Sequence, residues 1–304
     1  MMSKLDETYQ AKWSGNTLYS RAVLSDVGKG VQLHSELDHV LSSAAACLNV
    51  LGNLGNDGSN LARYLNRFGL EIDQIVPFPT NCTIGGETYD DKGLVVFEWI
   101  GPGKSTLNER GGKRGQNRTS IDAYVLGRIG GRLTQVLIEW KFSETYLAEA
   151  QHQRFAGVRG TERARRYSLV LAKLRKAKAF PFSMADEGGW GLHDMGYEPL
   201  YQLLRMTLLA KTTTPLQLSA DLEVLDYRIL HLTHSENHNL NIVSDRQLRF
   251  NAGLVHKAGA SLHDLWRGLL APEDARRFIS GHWNLHLDTI SDPDLRTYLM
   301  DRYA

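Results

Sequence analysis

Three charged residues near the middle of the chain have the types and spacing for phosphodiester chemistry. Glu139 and Lys141 stand two residues apart inside the apolar stretch 136–142, VLIEWKF, and Asp122 stands in an earlier apolar stretch, 121–126. An isolated buried charge costs several kcal/mol unless it is paired or binds a metal. Two carboxylates can hold a divalent cation, and a lysine beside them can orient a water molecule or neutralise charge on a phosphate.

A hairpin turn would bring these three residues together. Gly130 and Gly131 lie between the two apolar stretches, and Gly-Gly is typical of a two-residue turn because both positions can take positive φ. Pairing outward from these glycines places Asp122 opposite Glu139. Because side chains alternate along a strand, Lys141 lies on the same face as the two carboxylates. The residues of the opposite face are predicted to pack in the core, leaving the charged face open: Val136, Ile138 and Trp140.

Two facing carboxylates repel each other unless a cation lies between them. Mg²⁺ suits such a pair because it prefers oxygen ligands and keeps several of its waters, and Mn²⁺ can substitute for it. Under this hypothesis Asp122 and Glu139 are catalytic metal ligands, and Lys141 is the catalytic lysine that serves the attacking water. The alternative is a cross-strand salt bridge at a solvated sheet edge, in which Lys141 only neutralises the two carboxylates.

The surrounding sequence predicts an α/β fold that positions these residues. Runs of apolar and β-branched residues predict strands over 93–100, 120–126, 133–142 and 223–234. Apolar residues at helical spacing predict helices over 36–51, 60–68, 145–158, 161–177 and 198–211, and the tail segments 261–270 and 272–280 are also predicted to be helical. No linker rich in Pro, Ser or Gly divides the chain, so we expect a single elaborated α/β domain over 1–304.

The charge is unevenly distributed although the formal net charge is only +1. Segments 101–120 and 151–178 are rich in Lys and Arg, each holds a single glutamate, and they flank VLIEWKF on both sides. Such segments favour contact with the phosphate backbone of a nucleic acid, with DNA the expected partner and RNA the alternative. The competing interpretation is that they are only solvated surface. The candidate nucleic-acid-binding residues are Lys104, Lys113, Arg114, Arg118, Arg154 and Arg159.

The order of the three charged residues resembles a known active site. The pattern is an aspartate, Asp122, followed by Glu139 and Lys141 with one residue between them. It resembles the motif of the PD-(D/E)XK nuclease superfamily, which includes type II restriction endonucleases. In that superfamily the acidic residues bind Mg²⁺ and the lysine is catalytic. Ile121 departs from the motif, because the superfamily has a proline before the aspartate.

The wider sequence is similar to a bacterial group of restriction-endonuclease-like proteins. The similarity lies in the strings RTSIDAYV, residues 118–125, and VLIEWKFSETY, residues 136–146. That group also has a helix with the pattern S-S-x-A-x-x-x-N before its core, and residues 42–49 match this pattern.

The resemblance implies a fold and an activity. It implies a restriction-endonuclease-like core over about 33–211, a central mixed β-sheet flanked by helices, and a mainly helical C-terminal elaboration over about 212–304. It also implies Mg²⁺-dependent hydrolysis of phosphodiester bonds in DNA, with restriction or phage defence as the setting and a homodimer as the way to cut both strands. The alternative is a catalytically inactive nucleic-acid-binding protein with the same fold.

Three further residues are candidates for the same site. The superfamily often supplies a glutamate from its first helix, and Glu36 is the nearest candidate here. Glu98 lies beside a tryptophan in an apolar strand and joins the site if that strand neighbours the one carrying Asp122. Gln151 follows the lysine closely enough to contact substrate or water. For each of the three, the alternative is an ordinary surface position.

Two other motifs point to different chemistry. GPGKST, residues 101–106, resembles the end of a phosphate-binding P-loop, but the glycine that this loop requires is replaced by Glu98. A nucleotide-dependent enzyme is therefore disfavoured, and a basic loop that contacts phosphates is favoured. His231, His234 and His238 could hold zinc, but their spacing is not that of a helical zinc motif, so polar turn histidines are the preferred interpretation.

The remaining composition is that of a globular protein of the cytoplasm. Cys47 and Cys82 are the only cysteines, so no disulfide framework is expected. No apolar run reaches the roughly 18 residues that a membrane span requires, and the N-terminal segment does not have a signal-peptide pattern.

Overall fold

Strands and helices alternate along the chain in the computed structural model, which describes residues 12, 17–24, 37–79, 82–84, 87–89, 93–111, 118–147, 152–183, 190–248 and 253–304. The strands are β1 (Gln74–Ile75), β2 (Cys82–Ile84), β3 (Glu87–Tyr89), β4 (Val95–Trp99), β5 (Ile121–Ile129), β6 (Arg132–Trp140), β7 (Leu216–Ser219), β8 (Leu222–Val224), β9 (Asp226–Thr233) and β10 (Phe278–His282). The helices are α1 (Ser43–Cys47), which continues as a π-helix (Leu48–Gly52), α2 (Gly58–Asn66), α3 (Gly157–Lys176), α4 (Leu200–Thr212), α5 (His238–Asn241), α6 (Asp245–Leu248), α7 (Leu262–Leu269), α8 (Pro272–Arg277) and α9 (Pro293–Tyr303).

Six of these strands form one mixed sheet. Its order is β1-β5-β6-β9-β10, and β4 also pairs with β5. β4, β5 and β6 are antiparallel neighbours, whereas β9 runs parallel to β6 and β10 runs parallel to β9. The prediction of an α/β fold with a central mixed sheet is confirmed.

The β5–β6 hairpin turns at Gly130 and Gly131, as predicted. Both glycines have positive φ, 54° and 76°, which a β-carbon would disfavour. The strands pair from Ile129↔Arg132 to Ala123↔Ile138. This register, continued by one position, places Asp122 opposite Glu139, so the sequence predicted the pairing correctly.

Helices pack on both faces of the sheet. One face of the hairpin packs against α1, α2 and α9 through Ala123, Val125, Val136, Ile138 and Trp140. The other face packs against α3 and α4 through Tyr124, Leu126, Leu133 and Leu137. Each fully buried large apolar side chain contributes roughly 1.5–3 kcal/mol, so burial on both faces holds the helices in place.

The C-terminal third supplies strands of the central sheet as well as helices. β9 lies within the strand predicted over 223–234, but β10 begins inside the segment 272–280 that was predicted to be helical. α8 ends at Arg277, and Phe278 begins the strand that pairs with β9. Pairing with a neighbouring strand has overridden a weak helical pattern, so the sheet extends beyond the expected core boundary at residue 211.

Two other predicted helices differ in extent. The helix predicted over 36–51 begins only at Ser43, because Ser42 caps it by accepting a hydrogen bond from Ala45 N at 3.2 Å. The helix predicted over 145–158 is not helical in its described parts up to residue 156, and α3 begins at Gly157, where φ is +67°.

Candidate active site

Asp122, Glu139 and Lys141, here called the hairpin cluster, lie together at the end of the β5–β6 hairpin opposite its turn. Lys141 Nζ is 2.7 Å from Glu139 Oε1 and 3.6 Å from Asp122 Oδ2. The backbone N–H of Trp140 donates to Asp122 Oδ2 over 2.8 Å, which orients this carboxylate toward the end of β6. Strand alternation and the glycine turn are therefore sufficient to bring the three side chains together.

The hairpin cluster is more deeply buried than the sequence predicted. The exposed fraction of the side chain is 1% for Glu139, 6% for Lys141 and 25% for Asp122. The expectation of an open charged face is wrong because α4 covers this face of β6, and β6 itself lies between β5 and β9. The alternative of a salt bridge at a solvated sheet edge therefore does not describe this site either. Access from solvent is through Asp122.

Burial shifts the protonation equilibria of the cluster. Burial, together with the neighbouring carboxylate of Asp122, raises the pKa of Glu139 to about 8. Burial disfavours the charge of Lys141, but the carboxylates of Asp122 and Glu139 outweigh this cost and hold the pKa of the ammonium well above its usual range. Lys141 is therefore a cation at neutral pH, whereas Glu139 is poised to exchange a proton.

A side chain from α4 fixes the orientation of Glu139. The amide of Gln202 donates to Glu139 Oε1, and the amide oxygen of Gln202 accepts a hydrogen bond from the hydroxyl of Tyr146 at 2.9 Å. Sequence reasoning missed both residues. A signal was present, because Gln202 and Arg205 are polar residues three positions apart in a largely apolar helix, and such residues share one helix face.

Glu98 lies at the mouth of the same site. It follows Phe97, which pairs with Ala123, and precedes Trp99, which pairs with Ile121, so β4 does neighbour the strand that carries Asp122. Its backbone has a φ of +55°, and its carboxylate accepts a hydrogen bond from Ser120 Oγ at 2.7 Å. This left-handed residue interrupts the alternation of β4 and lets Trp99 stack on Tyr124.

The residues present fit a divalent cation. Glu139 Oε2 is buried and has no hydrogen-bond partner, so one carboxylate oxygen is left for a ligand. Asp122 lies across from it with part of its side chain exposed. Within the described residues, no group of three or more His, Cys, Asp or Glu side chains is arranged to hold a metal. Two carboxylates agree with Mg²⁺, which usually keeps several waters and takes one or two carboxylates.

The end of β6 is anchored by the helix that matches the S-S-x-A-x-x-x-N pattern. Ser43 Oγ accepts a hydrogen bond from Phe142 N at 2.8 Å and donates to Glu144 Oε2 at 2.5 Å. On the same face of the sheet, the indole N–H of Trp283 donates to Lys141 O over 3.0 Å, and its ring stacks on Trp140. These contacts hold the backbone that carries Glu139 and Lys141, and Trp140 is a core residue as predicted.

A cleft of about 400 Å³ leads to Asp122 from the surface. Its lining combines Glu98, Asp122 and Gln202 with arginines from the two helices that cover the sheet: Arg163 and Arg166 from α3, and Arg205 from α4. The guanidinium of Arg205 makes one hydrogen bond, from Nε to Thr119 Oγ1 at 3.1 Å. Arg166 lies 3.9 Å from Glu162, which is a long ion pair. The cleft therefore brings cationic groups to the approach to the acidic pair, together with two further glutamates, Glu109 and Glu198.

The predicted nucleic-acid-binding residues differ in their surroundings. Lys104 and Arg159 are exposed, in the loop after β4 and in α3. Arg154 lines the cleft with Nε 3.5 Å from Glu198 Oε1, so it is already paired with a carboxylate. Four predicted site residues lie outside the described residues: Glu36, Lys113, Arg114 and Gln151.

Arg118 has a different role from the one predicted. Its side chain is buried, and its guanidinium donates to Ile100 O and Gly103 O at 3.0 Å, to Gly111 O at 3.3 Å and to Pro102 O. These carbonyls belong to the loop that follows β4. Arg118 therefore holds this loop, and its donors are not available to a DNA phosphate in this conformation.

The two competing motifs do not form sites of their own. GPGKST begins in the loop that Arg118 holds, and within the described residues up to 111 no helix starts from it. His231 contacts His263, with their ring nitrogens 3.0 Å apart, whereas His234 contacts the Tyr303 carbonyl and His238 is on the surface. The three histidines contact different partners, and His231 lies within β9 and is buried, so it is not the turn residue that was expected.

The mixed sheet flanked by helices, with two carboxylates and a lysine at the end of its hairpin, defines a restriction-endonuclease-like protein. A family model described as Restriction Endonuclease associating with ARP (REase-ARP) matches residues 2–304, and the chain belongs to this family. Neither the curated proteins nor the solved structures gave a match. Family membership indicates a nuclease or defence-type role in general terms.

In the part of the chain that the structure describes, no helix is both long enough and apolar enough to cross a membrane.

Proposed function

We propose that the protein is a Mg²⁺-dependent endonuclease that hydrolyses phosphodiester bonds in DNA, in a restriction or defence setting. The observation that carries this proposal is the hairpin cluster, in which a lysine ammonium lies within 3.6 Å of two facing carboxylates, one of which has an unpartnered oxygen. A purely structural ion cluster has no need of an unsatisfied buried carboxylate, which is costly to the folded state.

Asp122 and Glu139 would hold the metal. When bound, Mg²⁺ would neutralise negative charge on the phosphate and lower the pKa of a water molecule that it ligates. Asp122 is the exposed member of the pair, so it is the first carboxylate that an entering cation meets. Glu139 offers Oε2, because Lys141 and Gln202 both donate to Oε1. The same ion could be Mn²⁺, which accepts the same oxygen ligands.

Lys141 supplies a fixed positive charge beside the acidic pair. Its ammonium has three donors: one bonds Glu139 Oε1 over 2.7 Å, and Asp122 Oδ2 lies 3.6 Å away as an ion-pair partner. Another donor can hold the attacking water, and the charge can neutralise the negative charge that builds up on the phosphate. The raised pKa keeps the ammonium charged throughout the neutral range, so this role is electrostatic rather than that of a general base.

Gln202 and Tyr146 act as positioning residues. Their hydrogen-bond chain holds Glu139 in one rotamer, which leaves Oε2 in a fixed direction. A ligand-bearing carboxylate that is oriented by a neighbouring hydrogen bond loses less freedom when it binds a metal. We therefore expect both residues to matter for the rate of cleavage more than for DNA affinity.

The proposed substrate is DNA, with RNA as the alternative. Support comes from the cleft arginines Arg163, Arg166 and Arg205 and from α3, whose sequence carries seven Arg or Lys residues and one glutamate. Phosphate contacts by such groups position a strand without reading its sequence. Cleavage of both strands of a duplex would be served by a homodimer, because a two-fold axis presents two copies of the site.

Plasmid, linear DNA and RNA incubated with the purified protein test this proposal. We expect DNA cleavage with Mg²⁺ or Mn²⁺, none with EDTA, and a loss of roughly 10²–10³-fold in the Lys141→Ala variant. Lys257→Ala, which removes an exposed lysine, is the control and should cleave at the wild-type rate. Equal cleavage by Lys141→Ala, or no cleavage of any of these nucleic acids by the wild type, would sink the proposal. Tight DNA binding without cleavage would favour the inactive binding protein.

A further inference from the structure

A second pocket, of about 290 Å³, lies beside the C-terminal half of α3. The helix contributes Ser168, Leu171 and Arg175, which follow the spacing of one helix face. The far wall is aromatic and is built from Phe180, Phe182 and Trp190. Phe182 is packed edge-on between the other two rings, with centroids 5.9 Å and 6.3 Å away. The pocket is thus lined by rings and apolar side chains, whereas the cleft is lined by charges.

The same helix lines both the pocket and the cleft. Arg163 and Arg166 of α3 line the cleft, and Leu171 and Arg175 line the pocket. Helical rise places Leu171 roughly 12 Å along the axis from Arg163. Each nucleotide of a strand in B-form DNA advances about 3.4 Å, so this separation corresponds to about three or four nucleotides. A strand that follows α3 from the cleft would therefore pass the pocket.

The charge at the pocket favours a ligand that is both aromatic and anionic. Arg175 lines the pocket and lies over the Phe180 ring, 4.4 Å from its centroid. Lys173 and Lys176 are exposed on the same half of the helix. The one glutamate of α3, Glu162, is in its other half and pairs with Arg165. An apolar side chain of a protein partner would fit the rings but would gain nothing from these cations.

We propose that this pocket takes up a nucleobase turned out of the DNA strand whose scissile phosphate lies in the cleft. The inference rests on the proposed nucleic-acid substrate. The rings would cover the faces of the base, Ser168 and Arg175 would offer hydrogen-bond donors to its edge, and the exposed lysines of α3 would hold the flanking phosphates. Turning a base out of the helix costs its stacking and pairing, which aromatic contact in a pocket repays in part.

Photocrosslinking tests the proposal directly. Random-sequence DNA duplexes with 5-iodouracil in place of thymine are bound to the Lys141→Ala protein in Mg²⁺, which keeps the DNA uncut, and are irradiated. We expect crosslinks to Phe180, Phe182 or Trp190. Ala172→Trp fills the pocket from its exposed rim, and Leu169→Trp adds the same ring on the same helix outside the pocket. The first variant should lose these crosslinks, and the second should keep them.

Cleavage rates of the same tryptophan variants, made in the wild-type background, give a second readout. Ala172→Trp should lower cleavage of duplex DNA roughly 10- to 100-fold, the range that a lost base-stacking contact implies, while Leu169→Trp should not. Phe180→Ala should lower it as well, which guards against a folding defect peculiar to Ala172→Trp. Crosslinks that never map to the aromatic wall, or unchanged cleavage in both pocket variants, would overturn the inference. A pocket that docks a protein partner instead of a base would give no crosslinks to the aromatic wall and unchanged cleavage.

The two proposals fail in different ways. If the wild type cleaves DNA in a Lys141-dependent manner but no crosslink maps to the pocket, only the base-pocket inference is wrong. If crosslinks map to the pocket and the wild type does not cleave, the nuclease proposal is wrong and the pocket belongs to a DNA-binding protein. If the protein neither binds nor cleaves DNA, both are wrong.

Discussion

The sheet carries two clusters of charged residues that differ in how completely their carboxylates are paired with cations. In the hairpin cluster, two carboxylates share one lysine, and Glu139 Oε2 has no partner. The second group, here called the distal cluster, lies at the start of β9 and on the helices beside it. Its members are Lys211, Asp226, Arg228, Asp274 and Arg277.

In the distal cluster each carboxylate is paired with a cation, and both oxygens of Asp226 accept hydrogen bonds. Arg277 Nε and Arg228 Nη1 each donate over 2.8 Å to a different oxygen of Asp226, and Lys211 Nζ donates to Asp274 Oδ1 over 2.8 Å. Burial disfavours the charge of Asp226, but the two arginine hydrogen bonds outweigh it and lower the pKa of this carboxyl.

This difference in pairing favours the hairpin cluster as the catalytic site. A saturated cluster holds its elements together and has no group left to bind anything else. The hairpin cluster has two carboxyl groups for one lysine, an unpartnered oxygen and a carboxyl whose pKa is raised to about 8, and it lies at the end of a cleft. Such perturbed groups in a cleft are typical of functional sites.

The largest expected effect is the loss of activity when Glu139 becomes neutral. Glu139→Gln should reduce DNA cleavage on the order of 10²–10³-fold or more, because one of the two proposed metal ligands is weakened. Its free energy of unfolding at pH 7 without metal should equal or exceed that of the wild type, because the buried carboxylate is costly to ionise. Single-turnover cleavage and urea unfolding measure the two quantities. A variant that is inactive only because it is unfolded would contradict this account.

The distal cluster should respond in the opposite way. Asp226→Asn should lower the free energy of unfolding by roughly 1–3 kcal/mol, because two arginine donors lose a charged acceptor. Cleavage per folded molecule should stay at the wild-type level. Urea unfolding and active-site titration check this pair of results. A loss of cleavage without a loss of stability would contradict the structural role assigned to the distal cluster.

Removing the positioning hydrogen bond should have a smaller effect. Gln202→Ala frees Glu139 to change rotamer, so we expect roughly a 10-fold lower cleavage rate, which is about 1.4 kcal/mol, with DNA affinity unchanged. Tyr146→Phe should show a smaller loss and should add little to Gln202→Ala in the double variant, because both act through one chain of hydrogen bonds. Fully additive losses would show that the two residues act separately.

The two clusters should also depend on pH in opposite directions. The folded-state pKa of Glu139 lies above its ordinary value of 4.5, so ionisation weakens the folded state as the pH rises from about 4.5 to about 8. The folded-state pKa of Asp226 lies below its ordinary value of 3.8, so its stabilising effect is present above this pH and is lost as the pH falls through the lower value.

Urea unfolding in EDTA across this range measures both trends. The stability advantage of Glu139→Gln over the wild type should grow from pH 5 to pH 8, and the disadvantage of Asp226→Asn should shrink below about pH 4. Parallel pH dependence of the two differences would contradict the assignment of opposite pKa shifts.

Local rules were sufficient to predict the hairpin and the meeting of its charged residues. The Gly130-Gly131 turn fixes the register, and register with alternation fixes which side chains share a face. The burial of that face could not be predicted in the same way, because it depends on α4, a helix sixty residues further on whose packing is a tertiary event. Gln202 and Tyr146 were missed for the same reason.

Other parts of the fold lacked a local signal. β10 follows a short helix in a segment whose pattern is helical, and it becomes a strand only because β9 offers a partner. Arg118 belongs to a basic segment and was expected to face DNA, but four loop carbonyls engage its guanidinium. Charge alone does not distinguish an arginine that binds a substrate from one that binds the backbone.

A pair of matched lysine variants gives the most direct test of the central claim. The side chains of Lys141 and Lys211 are 6% and 11% exposed, and each ammonium lies within 2.8 Å of a carboxylate oxygen, but only Lys141 belongs to the hairpin cluster. The measurement is the Mg²⁺-dependent DNA cleavage rate per folded molecule for Lys141→Ala and for Lys211→Ala. The account predicts a loss of roughly 10²–10³-fold for Lys141→Ala and a wild-type rate for Lys211→Ala. Equal rates for the two variants would contradict it.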